Sequence, residues 1–144
     1  MKRVVSGKFE LPVSAAEAIR FFTPEGERVW VPGWNPVYPA GEASESSGTV
    51  FTTYAGGVET IWVVQKISRN GYSCAYSRVT PGHHAGTVKV QCVDQADGGC
   101  VVMVAYDMSL LPGSDPTELD PYDDPSFAAM MGEWANEVSG ALSL

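Results

Sequence analysis

The sequence predicts an α+β chain in which a curved antiparallel sheet wraps one long terminal helix. Three observations carry this. Five segments rich in Val, Ile, Thr, Tyr and Trp follow one another from Thr49 to Leu111, separated by turn dipeptides. An apolar stripe at helical spacing then runs from Phe127 to Leu142. Ahead of both stands one alternating segment, followed by two helix-start signals.

Residues 4–11 place Val5, Phe9 and Leu11 on one face and Ser6, Lys8 and Glu10 on the other, a half-buried strand ended by Pro12. Ser14-Ala-Ala-Glu17 is a capping-box pattern, and Ala15, Ala18, Ile19 and Phe22 form the apolar stripe of a short helix. Thr23-Pro24-Glu25 combines an N-cap, a proline at the first helical position and an acid, predicting a second short helix to about Trp30. Residues 40–48 are small and polar and read as a surface loop.

The strands are expected at 49–54, 58–68, 72–79, 85–94 and 100–111. Gly56-Gly57, Asn70-Gly71, Pro81-Gly82 and Asp97-Gly98-Gly99 separate them, and such short connections imply antiparallel neighbours. In 58–68 and 100–111 both faces are apolar, so the inward face stays open. Segment 112–124 carries five acids and three prolines and reads as a loop ordered at its end by capping. Asp124-Pro125 starts the last helix, whose stripe is Phe127, Met130, Met131, Trp134, Val138 and Leu142.

The 144 residues fit one domain over 1–144. Seventeen acids against nine Lys and Arg give a net charge of −8, and the nine cations are scattered along the chain, which argues against nucleic-acid partners. No apolar run reaches the roughly 18 residues of a span, so no membrane insertion is expected. Cys74, Cys92 and Cys100 are odd in number and read as free, buried thiols in a reducing cytoplasm. No phosphate loop, nucleophile elbow or Cys-pair zinc spacing occurs, so no cofactor or metal is expected.

Residues 21–39, Phe-Phe-Thr-Pro-Glu-Gly-Glu-Arg-Val-Trp-Val-Pro-Gly-Trp-Asn-Pro-Val-Tyr-Pro, resemble a segment of bacterial proteins of the START/Bet v 1-like superfamily. These are also called SRPBCC, or polyketide cyclase/dehydrase and lipid-transport proteins. Trp62-Val-Val, Arg78-Val-Thr-Pro81-Gly82 and Met131-Gly-Glu-Trp134 extend the resemblance over nearly the whole chain. It implies a helix-grip fold, a seven-stranded antiparallel sheet curled around the C-terminal helix with two short helices at one end. It also implies a cavity between sheet and helix for an apolar ligand. Members bind lipids, sterols, polyketides or hormones, cyclise polyketides, or bind chaperones, so the fold leaves function open.

On that frame the expected ligand-binding residues are Trp30, Trp34, Tyr54, Trp62, Tyr76, Arg78, Val90, Met130 and Trp134. The indoles join apolar area to a polar N–H, although Trp62 and Trp134 suit a packed core equally. Met130, Met131 and Trp134 form a soft stripe, read either as core or as pocket lining. Tyr72, Cys74, Tyr76 and Arg78 share a strand face; Arg78 either reaches solvent over a packed stem or meets a carboxylate or phosphate of a ligand.

His83 and His84 follow a turn and point to opposite faces, a poor metal pair, with His84 left as a general-base candidate. Asp115, Glu118, Asp120, Asp123 and Asp124 lack a calcium-loop pattern and read as a solvated acidic loop that partly serves as the cap of the last helix. Asp107 is either a buried acid or part of a solvent-side face with Val101, Met103 and Ala105.

Three functions follow as expectations. The first is binding or transport of a small hydrophobic or amphipathic molecule. The second is a polyketide-type cyclase or dehydratase using Tyr76, Arg78, His84 or Asp107. The third is a chaperone- or protein-interaction module with a cavity filled by side chains.

Overall fold

The computed structural model describes residues 1–143. Six strands form one antiparallel sheet: β1 (Lys2–Leu11), β2 (Val50–Ala55), β3 (Val58–Ser68), β4 (Ser73–Thr80), β5 (His84–Asp94) and β6 (Cys100–Leu110). Their order is β1-β6-β5-β4-β3-β2, a meander whose last strand returns to pair with the first. Continuous registers hold it together, such as Val5 opposite Tyr106 and Tyr76 opposite Val88. A bulge interrupts β3 between Val64 and Lys66.

The seventh strand implied by the resemblance is reduced to a single bridge between Val37 and Thr52. Both of that bridge's backbone hydrogen bonds form, at 2.9 and 2.8 Å. Pro36 and Pro39 flank it, and a proline has no N–H to extend a ladder.

The helix-start signals work as read, but the helices are shorter than expected. Ser14 caps α1 (Ala15–Ala18), its Oγ accepting from Glu17 N at 3.2 Å. Asp94, at the end of β5, accepts from Ala15 N at 2.7 Å and ties this turn to the sheet. The chain tightens at once into a 3₁₀ turn over Ile19–Phe22. Thr23 Oγ1 accepts from Gly26 N at 3.0 Å, yet only a 3₁₀ turn, Gly26–Val29, follows instead of a helix to Trp30. Gly26 packs directly on the carbonyl of Arg20, where a β-carbon has no room, and this close approach folds the two turns together.

The acidic segment is also more ordered than a loop. Asp115 caps a 3₁₀ helix over Pro116–Tyr122, anchored by buried Leu119 and Tyr122. Asp123 then caps α2 (Asp124–Leu142), accepting from Ser126 N at 2.8 Å, with Pro125 in the first turn. The α2 helix packs on β1 across Gly7, where the β1 face exposes backbone to Met131 and Phe127.

The core lies between the inner sheet face and α2. Inward residues are Val5, Phe9 and Leu11 on β1, Trp62 and Val64 on β3, Cys74 and Tyr76 on β4, and Val102, Val104, Tyr106 and Met108 on β6. This settles the inward face of 58–68 and 100–111. All three cysteines are buried and free, and burial pushes the Cys92 thiol up to about 12, so it stays protonated. Among the described residues, no helix is long and apolar enough to cross a membrane.

Candidate functional site

Where α2, the 3₁₀ turns and the middle of the sheet meet, aromatic side chains surround a small cavity. Phe22, Glu27, Trp62, Tyr76, Tyr106 and Trp134 border it, with Val88 and Val90 as its floor on β5. Its volume is about 20 Å³, room for one water. The aromatic walls explain the small size. Trp30 meets Phe22 and Trp134 edge-on, with centroids 5.7 and 5.4 Å apart. Trp34 meets Trp62 at 5.6 Å, and Phe51 stacks flat on Trp62 at 5.7 Å.

Most of the polar tips in these walls are already committed. Trp30 Nε1 donates to Phe21 O at 2.6 Å, Trp34 Nε1 to Pro24 O at 2.8 Å and Trp62 Nε1 to Thr53 Oγ1 at 3.0 Å. Tyr76 donates its hydroxyl to Phe22 O at 2.7 Å, and Cys74 Sγ donates to the same carbonyl at 3.4 Å. Tyr76 therefore ties the first 3₁₀ turn to the sheet, Trp30 and Trp34 brace the segment that holds the turns, Trp62 joins β3 to β2, and none of these tips is free to orient a ligand. Burial, with Cys74 and Glu27 nearby, raises the Tyr76 hydroxyl far above the usual phenol range.

Arg78, Glu27, Tyr106 and His84 differ. Arg78 lies on the inner face of β4 and does not simply reach solvent. Its guanidinium carbon stands 4.6 Å from the Trp62 ring centroid, a cation–π contact. Its Nε is buried without a hydrogen-bond partner among the described residues. Glu27 as a residue is part-exposed, but its carboxyl end borders the cavity and is enclosed. Desolvation raises this carboxyl well above the usual range, and the Arg78 charge opposes only part of that rise. Tyr106 faces the same guanidinium, and burial also raises its hydroxyl.

His84 points inward from the start of β5, edge-on to Tyr122 at 6.1 Å. Its Nδ1 is buried without a partner among the described residues, and desolvation together with Arg78 lowers its pKa. A third unpartnered atom, Arg3 Nε, lies on β1 and outside the cavity lining. Glu27 and Tyr106 thus line the cavity, Arg78 lies over its Trp62 wall, and His84 stands outside the lining but feels the same cation.

The remaining sequence-predicted residues are placed elsewhere. Tyr54 sits on the outer face of β2, 58% exposed, donating to Glu59 Oε2 at 2.6 Å. Strand parity explains this, since its neighbours Phe51 and Thr53 take the inner face. Met130 is part-buried against the core but does not border the cavity; Met131 is the buried methionine of the pair. Asp107 is on the outer face and pairs with Lys2 at 3.2 Å, so it has no part in cavity chemistry. His83 turns away from the cavity to Glu118, at 2.6 Å.

Sequence reasoning passed over Glu27 and Tyr106. Glu27 lies inside the 21–39 segment that carries the resemblance, and an acid three residues ahead of Trp30 was the available signal. Tyr106 was hidden by the two apolar faces of 100–111.

A larger hollow lies on the opposite side of the sheet. It is an open trough of about 740 Å³ across the outer face, lined by Ser6, Lys8, Lys66, Ala75, Lys89 and Met103 among others. It shares no chemistry with the inner cavity, since β-strand side chains at alternate positions face opposite ways.

No family model matches the chain, and no curated protein matches it by sequence. Solved structures do match by shape. The crystal structure of Ara h 8.0201 superposes with a TM-score of 0.73 at 16% identity, over 100% of both chains. The Mll3558 protein from Rhizobium loti matches with a TM-score of 0.67 at 14% identity, over 98% of this chain and 97% of that one. A point mutant of norcoclaurine synthase from Thalictrum flavum, in complex with a transition-state analogue, matches with a TM-score of 0.68 at 12% identity, over 99% and 96%. At such identities the likeness speaks for the backbone and not for the site. The chain therefore has the helix-grip architecture of Bet v 1-like proteins, the fold of the START/Bet v 1-like superfamily that its sequence resembles.

Proposed function

We propose that this protein binds a small amphipathic molecule between α2 and the inner sheet face, with Arg78 meeting an anionic or carbonyl group of the ligand. One observation carries the reading. Arg78 holds a charge against an aromatic wall with its Nε unpaired among the described residues, and leaving a buried donor unsatisfied costs about 1–3 kcal/mol, more for a charged group. A ligand carboxylate or carbonyl would supply the missing acceptor. Glu27, carrying its proton to higher pH than a solvated acid, would donate a second hydrogen bond beside it. The same fold in norcoclaurine synthase holds dopamine and hydroxybenzaldehyde, as a fact about that protein.

A volume of about 20 Å³ means that the walls must move to admit any ligand. Trp134 is the part-buried wall residue on α2 and the natural one to swing. A nearly filled interior is also what an interaction module would show. The unpaired cation and enclosed acid set the binding reading ahead, because a merely structural core gains nothing from them.

The test is quenching of tryptophan fluorescence by 2-naphthoate, an aromatic carboxylate. Saturable quenching is expected, weakened at least tenfold in Arg78→Gln and altered in Trp134→Ala, but unchanged in Glu42→Ala on the exposed loop. Equal titrations of folded wild type and Arg78→Gln would end this assignment.

Glu27 favours a second reading, a cyclase or dehydratase of polyketide-like molecules. An enclosed carboxyl with a raised pKa facing a cation is suited to general acid–base work. Here Glu27→Gln would keep ligand affinity within about threefold while abolishing conversion of a molecule extracted with the protein. Loss of both together would return Glu27 to a binding role.

A further inference from the structure

We infer that the trough on the outer face of the sheet is a second binding site, for a small amphipathic anion: an apolar body carrying a carboxylate, sulfonate or phosphate. The sheet register builds it. Lys66 lies opposite Ala75, Ala75 opposite Lys89, Lys89 opposite Ala105, and Ala105 opposite Ser6. That is one unbroken cross-strand row over five strands, about 19 Å long at roughly 4.8 Å per strand. Beside it runs a second row, Ser73, Gln91, Met103 and Lys8. Short side chains, Ser and Ala, sink the floor between the lysines, and half-exposed Met103 gives it an adaptable apolar contact. The resulting volume of about 740 Å³ lies within the usual range of small-molecule sites, about 300–1,000 Å³.

Charge argues for the occupant. The chain has a net charge of −8, yet Lys8, Lys66 and Lys89 line this one trough and, among the described residues, no carboxylate does. Among the described residues none of the three forms an ion pair; the four pairs present use Lys2, Arg28, Arg69 and His83. Two acids on this face are already engaged. Asp107 pairs with Lys2, and Glu10 accepts from Gln95. Three unshared cations over an apolar floor repel one another until an anion enters, and a cleft lined by one sign of charge draws in the opposite sign. In the sequence these lysines are more than twenty residues apart from one another, which is why the cations look scattered there.

The site is independent of the interior cavity, so variants can separate them. The probe is decanoate, with decanol as the uncharged control, followed by amide chemical shifts in ¹H–¹⁵N spectra. The expected result is saturable shifts centred on Ser6, Ala75, Lys89 and Ala105, with decanol at least tenfold weaker. Lys8→Gln/Lys66→Gln/Lys89→Gln should weaken decanoate at least tenfold while leaving the spectrum of the fold intact, and Arg78→Gln should leave these shifts unchanged. Rising salt should weaken binding in wild type and not in the triple variant. Shifts confined to residues around Trp134 and Tyr106 would overturn the proposal, as would equal affinity in the triple variant or equal binding of decanol. Binding of a polyglutamate peptide without binding of decanoate would also overturn it, giving the surface to a protein partner.

Discussion

Substituting Gly7 by alanine tests the grip of α2 on the sheet, and hence the wall that carries Trp134. A β-carbon at position 7 would lie 2.8 Å from Met131 Cγ and 3.2 and 3.3 Å from two carbons of the Phe127 ring. Carbon contacts are optimal near 3.5–4.0 Å, so the helix or both side chains must retreat by up to about 1 Å. Met131 is 3% exposed and Phe127 1%, so neither can swing into solvent cheaply. Overpacking of this kind costs roughly 1–3 kcal/mol. Removing a glycine from a strand returns about 0.5–1 kcal/mol of that. A net loss of about 1–2 kcal/mol corresponds to a fall in Tm of roughly 3–8 °C at this chain length.

The assay is thermal and urea unfolding of Gly7→Ala, Met131→Ala and the double variant. Met131→Ala opens space beside position 7, so the double variant should be less destabilised than the sum of the singles by about 0.5 kcal/mol or more. Strict additivity, or a Gly7→Ala protein as stable as wild type, would refute the idea that the helix is seated directly on the β1 backbone.

Three further outcomes follow from the site and from the tie of α1 to the sheet. Glu27 has a folded pKa above its unfolded one, so its contribution to stability is full below about pH 4.3 and is lost as pH rises towards the folded value. Glu27→Gln should therefore gain on wild type with rising pH, by at most about 1.4 kcal/mol per unit, as measured by urea midpoints; parallel curves would contradict the enclosed acid. His84, whose pKa is lowered, acts in the other direction below about pH 6.5, and comparing the two proteins cancels it. Tyr76→Phe leaves the Phe22 carbonyl with only the Cys74 thiol and should cost about 1–3 kcal/mol with an unchanged m-value, whereas no loss would show that the carbonyl finds other donors. Asp94→Ala removes the acceptor for Ala15 N and should cost about 0.5–2 kcal/mol, the range of an N-cap, with Asp94→Asn recovering most of it in the same unfolding assay.

Local chemistry made much of the fold legible. The turn dipeptides, the caps at Ser14 and Thr23, and the period of the last helix each act over a few residues, so they survive without knowledge of the partners. Strand ends were read to within two residues for this reason. Where the reading fell short, a packing contact that the local pattern does not show decided. The second helix is only a 3₁₀ turn because Gly26 packs on Arg20, and the acidic segment is ordered because Leu119 and Tyr122 find the core. The one turn that bends differently from its dipeptide is Asn70-Gly71, where the left-handed residue is Tyr72, at φ 57°. Its carbonyl accepts from Cys92 N at 2.8 Å, so β5 holds that conformation.

The sequence by itself determined the strands, the terminal helix, their order and the antiparallel meander, because periodicity and turn residues are short-range properties. It also marked the aromatic-rich 21–39 segment. Only the tertiary structure decided which chemistry meets which. It committed three indoles and a phenol to backbone and threonine acceptors, enclosed Glu27 beside Arg78, turned Tyr54 and Asp107 outward, and gathered Lys8, Lys66 and Lys89 into one trough. The physical reason is register. A residue's face is set by its own strand, but its neighbours are set by pairings between strands far apart in the chain.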